Sequence, residues 1–174
     1  MPKIEDILKQ AKPRERTVMV CTRGDLAGEA ERLSEELTKV NEDWEPSDLT
    51  EVHPARAIAA QLKEARDAAR AAEVPFKLRY IGDKAYSDLL AAHPPEKGKD
   101  NELFDSVTFP RALIAASCVD PEMTEEQVIE LFEVINEGEI AKLFNAAWDV
   151  HNSSDMVPFS LAASALLAGL GGAS

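Results

Sequence analysis

Residues 76–128, FKLRYIGDKAYSDLLAAHPPEKGKDNELFDSVTFPRALIAASCVDPEMTEEQV, decide the fold, because they join a short strand to helices through an ordered series of local signals. Phe76, Leu78 and Tyr80 alternate with Lys77 and Arg79, the period of a strand with one covered face. Gly82-Asp83 breaks that pattern, and Asp83 is placed to cap a helix carrying Tyr86, Leu89 and Leu90. The helix must stop near His93-Pro94-Pro95, since proline has no amide to donate and restricts the residue before it. After a polar loop, residues 96–100, apolar residues resume at Phe104, Val107 and Phe109 and continue through the small-residue run Ala112 to Cys118. Beyond Asp120-Pro121, Thr124 and Gln127 stand in the capping-box relation directly before Val128, Leu131, Phe132 and Ile135, so a further helix begins there.

Working toward the N-terminus, residues 17–21 form an apolar run that reads as a strand, paired with the strand at 76–81. Between them Leu26, Ala30, Leu33, Leu37 and Val40 recur at helical spacing, and from about Pro54 so do Ile58, Leu62, Ala65, Ala69 and Ala72. Two such seams joined by a loop predict an antiparallel helical hairpin. Residues 1–15 read as a flexible arm or a short amphipathic helix carrying Ile4, Ile7 and Leu8.

Toward the C-terminus, Asn136-Glu137-Gly138 suggests a left-handed helix end before a helix with Ile140, Leu143, Phe144, Ala147 and Trp148. Residues 152–155 read as a loop, Pro158 as the opening of a last helix over 159–167, and 169–174 as a flexible glycine-rich tail. The expected fold class is α+β, mostly α: a two-stranded element bracketing a helical hairpin, followed by a C-terminal helical bundle. Its expected divisions are 1–15, the flexible arm; 16–92, strand-helix-helix-strand plus a short helix; 101–168, a helical region; and 169–174, the tail.

The chain of 174 residues is 45% hydrophobic and 29% charged, ordinary for a globular protein, and a chain of this length buries about 70% of its unfolded surface. Net charge is −13, and residues 101–150 alone carry 11 acidic against 2 basic side chains. An acidic half of that kind repels phosphate, which argues against nucleic acid and for a basic partner or simple solubility. Cys21 and Cys118 each sit in an apolar run outside any C-x-x-C pair, and are expected to be small buried residues in a reducing compartment. No signal-peptide pattern opens the sequence, and the apolar stretch 159–172 is shorter than a membrane helix requires, so the expectation is a cytoplasmic chain that does not enter membranes.

Chemistry-bearing constellations are sparse. His53, His93 and His151 lack metal-ligand spacing, and His93 and His151 are placed to finish helices. Asp120, Glu122, Glu125 and Glu126 cluster at a helix start, where the helix dipole already favours acids and no metal is needed to explain them. Arg23-Gly24-Asp25 reads as a turn and cap. His151, Ser153 and Asp155 form the one triad-like set, without the oriented base and oxyanion donors that acyl transfer requires. The chain is therefore expected to have no catalytic residue, metal or cofactor. Phe104, Phe109, Phe132, Phe144 and Trp148 serve either as core or as the lining of a groove. Val157, Phe159, Leu161, Leu166, Leu167 and Trp148 are the candidate contact residues, for packing on the domain, for a second copy or for a partner protein.

The order of these pieces resembles the tail assembly chaperones of long-tailed, siphovirus-type bacteriophages, especially those of actinobacterial hosts. The resemblance is carried by the F-x-x-R-like strand at Phe76, Y-x-x-L-L-x-x-H-P-P from Tyr86, T-F-x-x-x-L-I-A-A-S-C-x-D-P from Thr108, and T-E-E-x-x-x-x-L from Thr124, and it extends over roughly residues 16–160. It implies a non-catalytic protein of the host cytoplasm, absent from the mature virion, that binds the tape measure protein, keeps it soluble and promotes tail tube assembly. It also implies the tail tube protein and a frameshifted longer form of the chain itself as further partners. The family supplies no site residue to carry over. The alternative from another class is a structural virion protein, such as a head-tail connector or tail completion protein, retained in the particle.

Overall fold

The computed structural model describes residues 1–45, 52–99 and 101–154. Its elements run α1 (Ile4–Gln10), β1 (Glu15–Cys21), α2 (Gly24–Asp43), α3 (Ala55–Ala71), β2 (Glu73–Arg79), α4 (Asp83–Ala92), α5 (Thr108–Ser117), β3 (Cys118–Asp120), α6 (Glu125–Phe132) and α7 (Glu137–Asn152). The class is α+β, mostly α. As the sequence predicts, β1 and β2 pair antiparallel and bracket the α2–α3 hairpin.

The sheet has one covered face. Val18 opposes Phe76 and Arg16 opposes Leu78, and the alternate residues Val20, Phe76 and Leu78 are buried beneath α7. On the outer face Glu15 bridges Lys77 at 2.9 Å and Arg79 at 2.7 Å, a cross-strand cluster whose hydrogen bonds hold the Glu15 carboxyl below its usual range. Hydrogen bonds also fix α7 along β1. Glu139, near the helix start, accepts the Cys21 amide at 3.0 Å, while at the far end Asp149 pairs with Arg16 and the Ser153 carbonyl accepts from Arg14. Phe109, Leu113 and Ile114 of α5, Val128 of α6 and Leu143, Ala146 and Ala147 of α7 complete the core.

Several boundaries differ from the sequence reading. Strand β2 begins at Glu73 and ends at Arg79, so Pro75 lies inside it. Only β1 flanks that end, because β3 pairs with just Lys77 and Leu78, and proline is tolerated where a strand has an open side. Strand β3 itself, three residues long, is too short to leave a period in the sequence. Asp83 is the first residue of α4 rather than its cap. Gly82 takes the cap position with φ 97°, which favours glycine, and Asp83 faces the positive end of the helix.

The left-handed end expected at 136–138 is absent. Asn136 is extended and caps α7, its Oδ1 accepting the Glu139 amide at 3.0 Å, and Gly138 is helical. Cys118 is buried as expected, and desolvation raises its thiol pKa, whereas Cys21 at the end of β1 is only half-buried. The Thr124–Gln127 capping box is present in both directions, at 2.9 and 3.3 Å.

The hairpin is a distinct part of the molecule. Helices α2 and α3 pack chiefly on each other, with Leu33 and Leu62 buried in the seam and Trp44 and His53 in contact at its far end, ring centroids 4.0 Å apart. At 20 residues, α2 is about 30 Å long. Among the described residues no helix is long and apolar enough to cross a membrane.

Candidate functional site

An open, mainly apolar cleft lies where the start of α5, the end of α6 and the start of α7 converge. Local hydrogen bonding sets its wall. Asp105 Oδ1 accepts the Val107 and Thr108 amides at 2.9 and 2.7 Å, bonds that hold its carboxyl below the usual range and anchor the entry to α5. His93, which caps the end of α4, contacts the Thr108 hydroxyl through Nδ1 at 2.9 Å and pins the same turn from the other side. The Asn136 cap sets the direction in which α7 leaves.

The resulting groove encloses about 290 Å³ and is lined by Val107, Pro110, Phe132, Ile140, Ala141 and Phe144. Arg111 and Glu137 place one charge of each sign at its edge. Val107, 52% exposed, forms the lip of the groove. Beneath the groove, Phe144 continues into an aromatic group: Phe104 meets Phe109, Phe144 and Trp148 at centroid separations of 4.3, 6.2 and 5.6 Å. An aromatic floor under a partly open apolar cleft suits the side chains of an amphipathic helix.

The structure thus divides the aromatic residues that sequence could not. Phe109 is fully buried, Phe132 and Phe144 line the groove, and Phe104 and Trp148 are half-buried behind it. Of the candidate contact residues, Trp148 joins this floor, while Val157, Phe159, Leu161, Leu166 and Leu167 lie outside the described residues. Val107, Pro110, Ile140 and Ala141 were not singled out as groove residues by their sequence. The nearest signal was the separation of Val107 from the buried helical stripe that follows it.

The remaining candidate constellations are not brought together. His151 engages Ala147 and Ile81, and Ser153 donates to Asp149 at 3.2 Å, so neither is directed at the other; Asp155 lies outside the described residues. His53 accepts the Ala55 amide at the start of α3, far along the chain from His93 and His151. Among the described residues no group of three or more His, Cys, Asp or Glu side chains is arranged to hold a metal ion. Arg23 and Asp25 form a bidentate pair with each other at 2.6 and 2.8 Å at the entry to α2, which lowers the Asp25 pKa to about 2.

Compared with known proteins, the chain matches no family model, no curated protein and no solved structure.

Proposed function

We propose that the protein is a tail assembly chaperone of a long-tailed bacteriophage, which holds an amphipathic helical segment of the tape measure protein against the α5–α6–α7 groove. The observation that carries the reading is the open apolar groove with an exposed lip at Val107 and an aromatic floor at Phe144, in a chain whose landmark order resembles that family. A long helical client exposes apolar stripes that aggregate, and a groove of this kind covers such a stripe. The strongly negative net charge then keeps the loaded complex dispersed. Holding and releasing a client of this kind requires no bond to be made or broken.

The test is co-expression of the tagged chain with the tape measure protein encoded in the same genome, followed by pull-down and a mass measurement of the soluble complex. A client that is insoluble alone and recovered soluble with the chain is the expected result. A client soluble by itself that does not co-purify, together with this chain at fixed copy number in purified virions, would replace the reading with a structural virion protein.

A further inference from the structure

The α5–α6–α7 groove continues along α7. Ile140, Phe144 and Trp148 are half-buried and follow one another at four-residue spacing, so they share one face of the helix, running from the groove toward its C-terminal end. Phe104 meets Phe144 and Trp148 from the side, at centroid separations of 6.2 and 5.6 Å. The result is a partly open apolar track about 12 Å long at 1.5 Å per residue, with the groove at one end and the last turn of α7 at the other.

Residues 155–174 leave the chain from that last turn. Between Met156 and Ser174 there is no charged side chain, in a protein that is 29% charged. Phe159, Ala162, Ala163, Leu166 and Leu167 recur at the spacing of one apolar helical face, with Pro158 placed to open such a helix and Gly169 placed to end it. A helix over 159–167 is about 13 Å long, the length of the track. Residues 153–158 are enough to turn the chain back, since connections of two to eight residues join antiparallel helices.

We infer that residues 159–167 fold back in cis along α7 and seat this apolar face on the track, with Leu166 and Leu167 in the α5–α6–α7 groove. Continuity selects the occupant, because the track begins where the segment leaves α7. Composition agrees with it: an uncharged segment meets a groove whose charges, Arg111 and Glu137, stand at its edge. Shape agrees as well. With Phe159 opposite Trp148 in antiparallel register, Ala163 falls opposite the bulky Phe144 and Leu167 opposite Ile140, so small meets large where the helices must approach. Attachment through a short connection holds the segment at an effective concentration in the millimolar range, on the order of 10⁻³ M, ahead of any untethered partner of similar affinity. The seating of the segment does not depend on the chaperone reading. One consequence rests on that reading: a client must displace residues 159–167 to bind.

The test is hydrogen exchange of the full chain, read by mass spectrometry at two protein concentrations tenfold apart and without any client, so its failure is separate from failure of the chaperone reading. Two variants accompany wild type, Val107→Glu/Ala141→Glu in the groove and Leu166→Glu/Leu167→Glu in the segment, each checked for native helicity by circular dichroism. In wild type the amides of 159–167 are expected to exchange at least tenfold more slowly than an unstructured chain, equally at both concentrations. The groove variant should release them, raising their exchange at least tenfold while the buried half of α7 keeps its protection. The segment variant should do the same and also speed exchange at the entry to α5, residues 106–110, whose cover is then gone. Unprotected 159–167 in wild type would overturn the inference. So would protection that survives in the groove variant, an α5 entry unchanged in the segment variant, or protection lost on dilution, which would assign the segment to a second copy.

Discussion

His151, in the last turn of α7, accepts a hydrogen bond through Nε2 from the Ile81 amide at 3.3 Å, tying the chain just beyond β2 to the helix that covers the sheet. Since the amide can only donate, Nε2 must be the unprotonated nitrogen, and Nδ1 carries the proton that it donates to the Ala147 carbonyl at 2.7 Å. The ring also stacks on Tyr86, with centroids 4.7 Å apart. Protonation at Nε2 would set donor against donor in a half-buried position.

That geometry gives the fold a pH dependence of defined sign. Burial holds the His151 pKa below its ordinary value, the Ala147 bond opposing only in part. The unfolded chain therefore binds the proton more readily, so the stabilisation is complete above the unfolded value of about 6.5 and is lost as pH falls through the folded pKa. The urea midpoint is expected to drop on going from about pH 7.5 to about pH 5.5. His151→Phe, which keeps a ring against Tyr86, should lower the midpoint and flatten its slope over this window. Equal slopes in the two proteins would show that His151 is not the group responsible.

Ser117 is the counter-case of a polar group with nothing to bond. It is fully buried at the end of α5, and its hydroxyl meets no partner among the described residues. An unsatisfied buried hydroxyl costs about 1–3 kcal/mol of desolvation. Ser117→Ala is therefore expected to leave stability unchanged or raise it by up to about 1 kcal/mol, unlike most core substitutions. A loss above that size in urea unfolding would mean that the hydroxyl has a partner after all.

Local chemistry was the legible part of this chain. The alternation at Phe76 and Leu78, the paired seams around Leu33 and Leu62, and the Thr124–Gln127 box each act within a few residues, and each appears where the sequence places it. What escaped depends on tertiary neighbours. The inclusion of Pro75 in β2 is allowed by how far β3 extends, and Asn136, a residue type suited either to a left-handed helix end or to an N-cap, takes the N-cap role because α7 begins at Glu137. The groove was illegible for the same reason: Val107, Phe132 and Ile140 come from three segments, and only their packing leaves a cleft between them. The capping box offers a direct check, since Thr124→Ala should cost about 1 kcal/mol and leave the core intact. A cost near zero would make the box an ornament of the fold.

The hairpin should behave as a separate unit of stability. Because α2 and α3 pack chiefly on each other and bury little beyond Leu33, Ala55 and Leu62, their amides can open without disturbing the core around Phe109 and Leu143. Hydrogen exchange is expected to be faster in α2 and α3 than in α5 and α7. Leu62→Ala, which removes about 2–5 kcal/mol of seam packing, should accelerate exchange in the hairpin while α7 keeps its protection. Parallel acceleration in α7 would show that hairpin and body unfold as one cooperative unit.

The proposed client site is tested most sharply at the groove lip. Val107, the residue before α5, and Ala141 of α7 both line the cleft and both are exposed, so changing them removes little core packing. Val107→Glu/Ala141→Glu would place two carboxylates where an apolar stripe is expected to dock, and burying an unpaired charge against apolar side chains is strongly unfavourable. The double variant should keep its helical circular dichroism and lose stability by less than about 1 kcal/mol, since neither side chain is buried. Recovery of soluble tape measure protein on co-expression should nevertheless fall by at least about tenfold, corresponding to roughly 1.4 kcal/mol or more of lost binding. Undiminished recovery by this variant would remove the groove from the binding surface, even if the chaperone reading itself survived through contacts elsewhere on the chain.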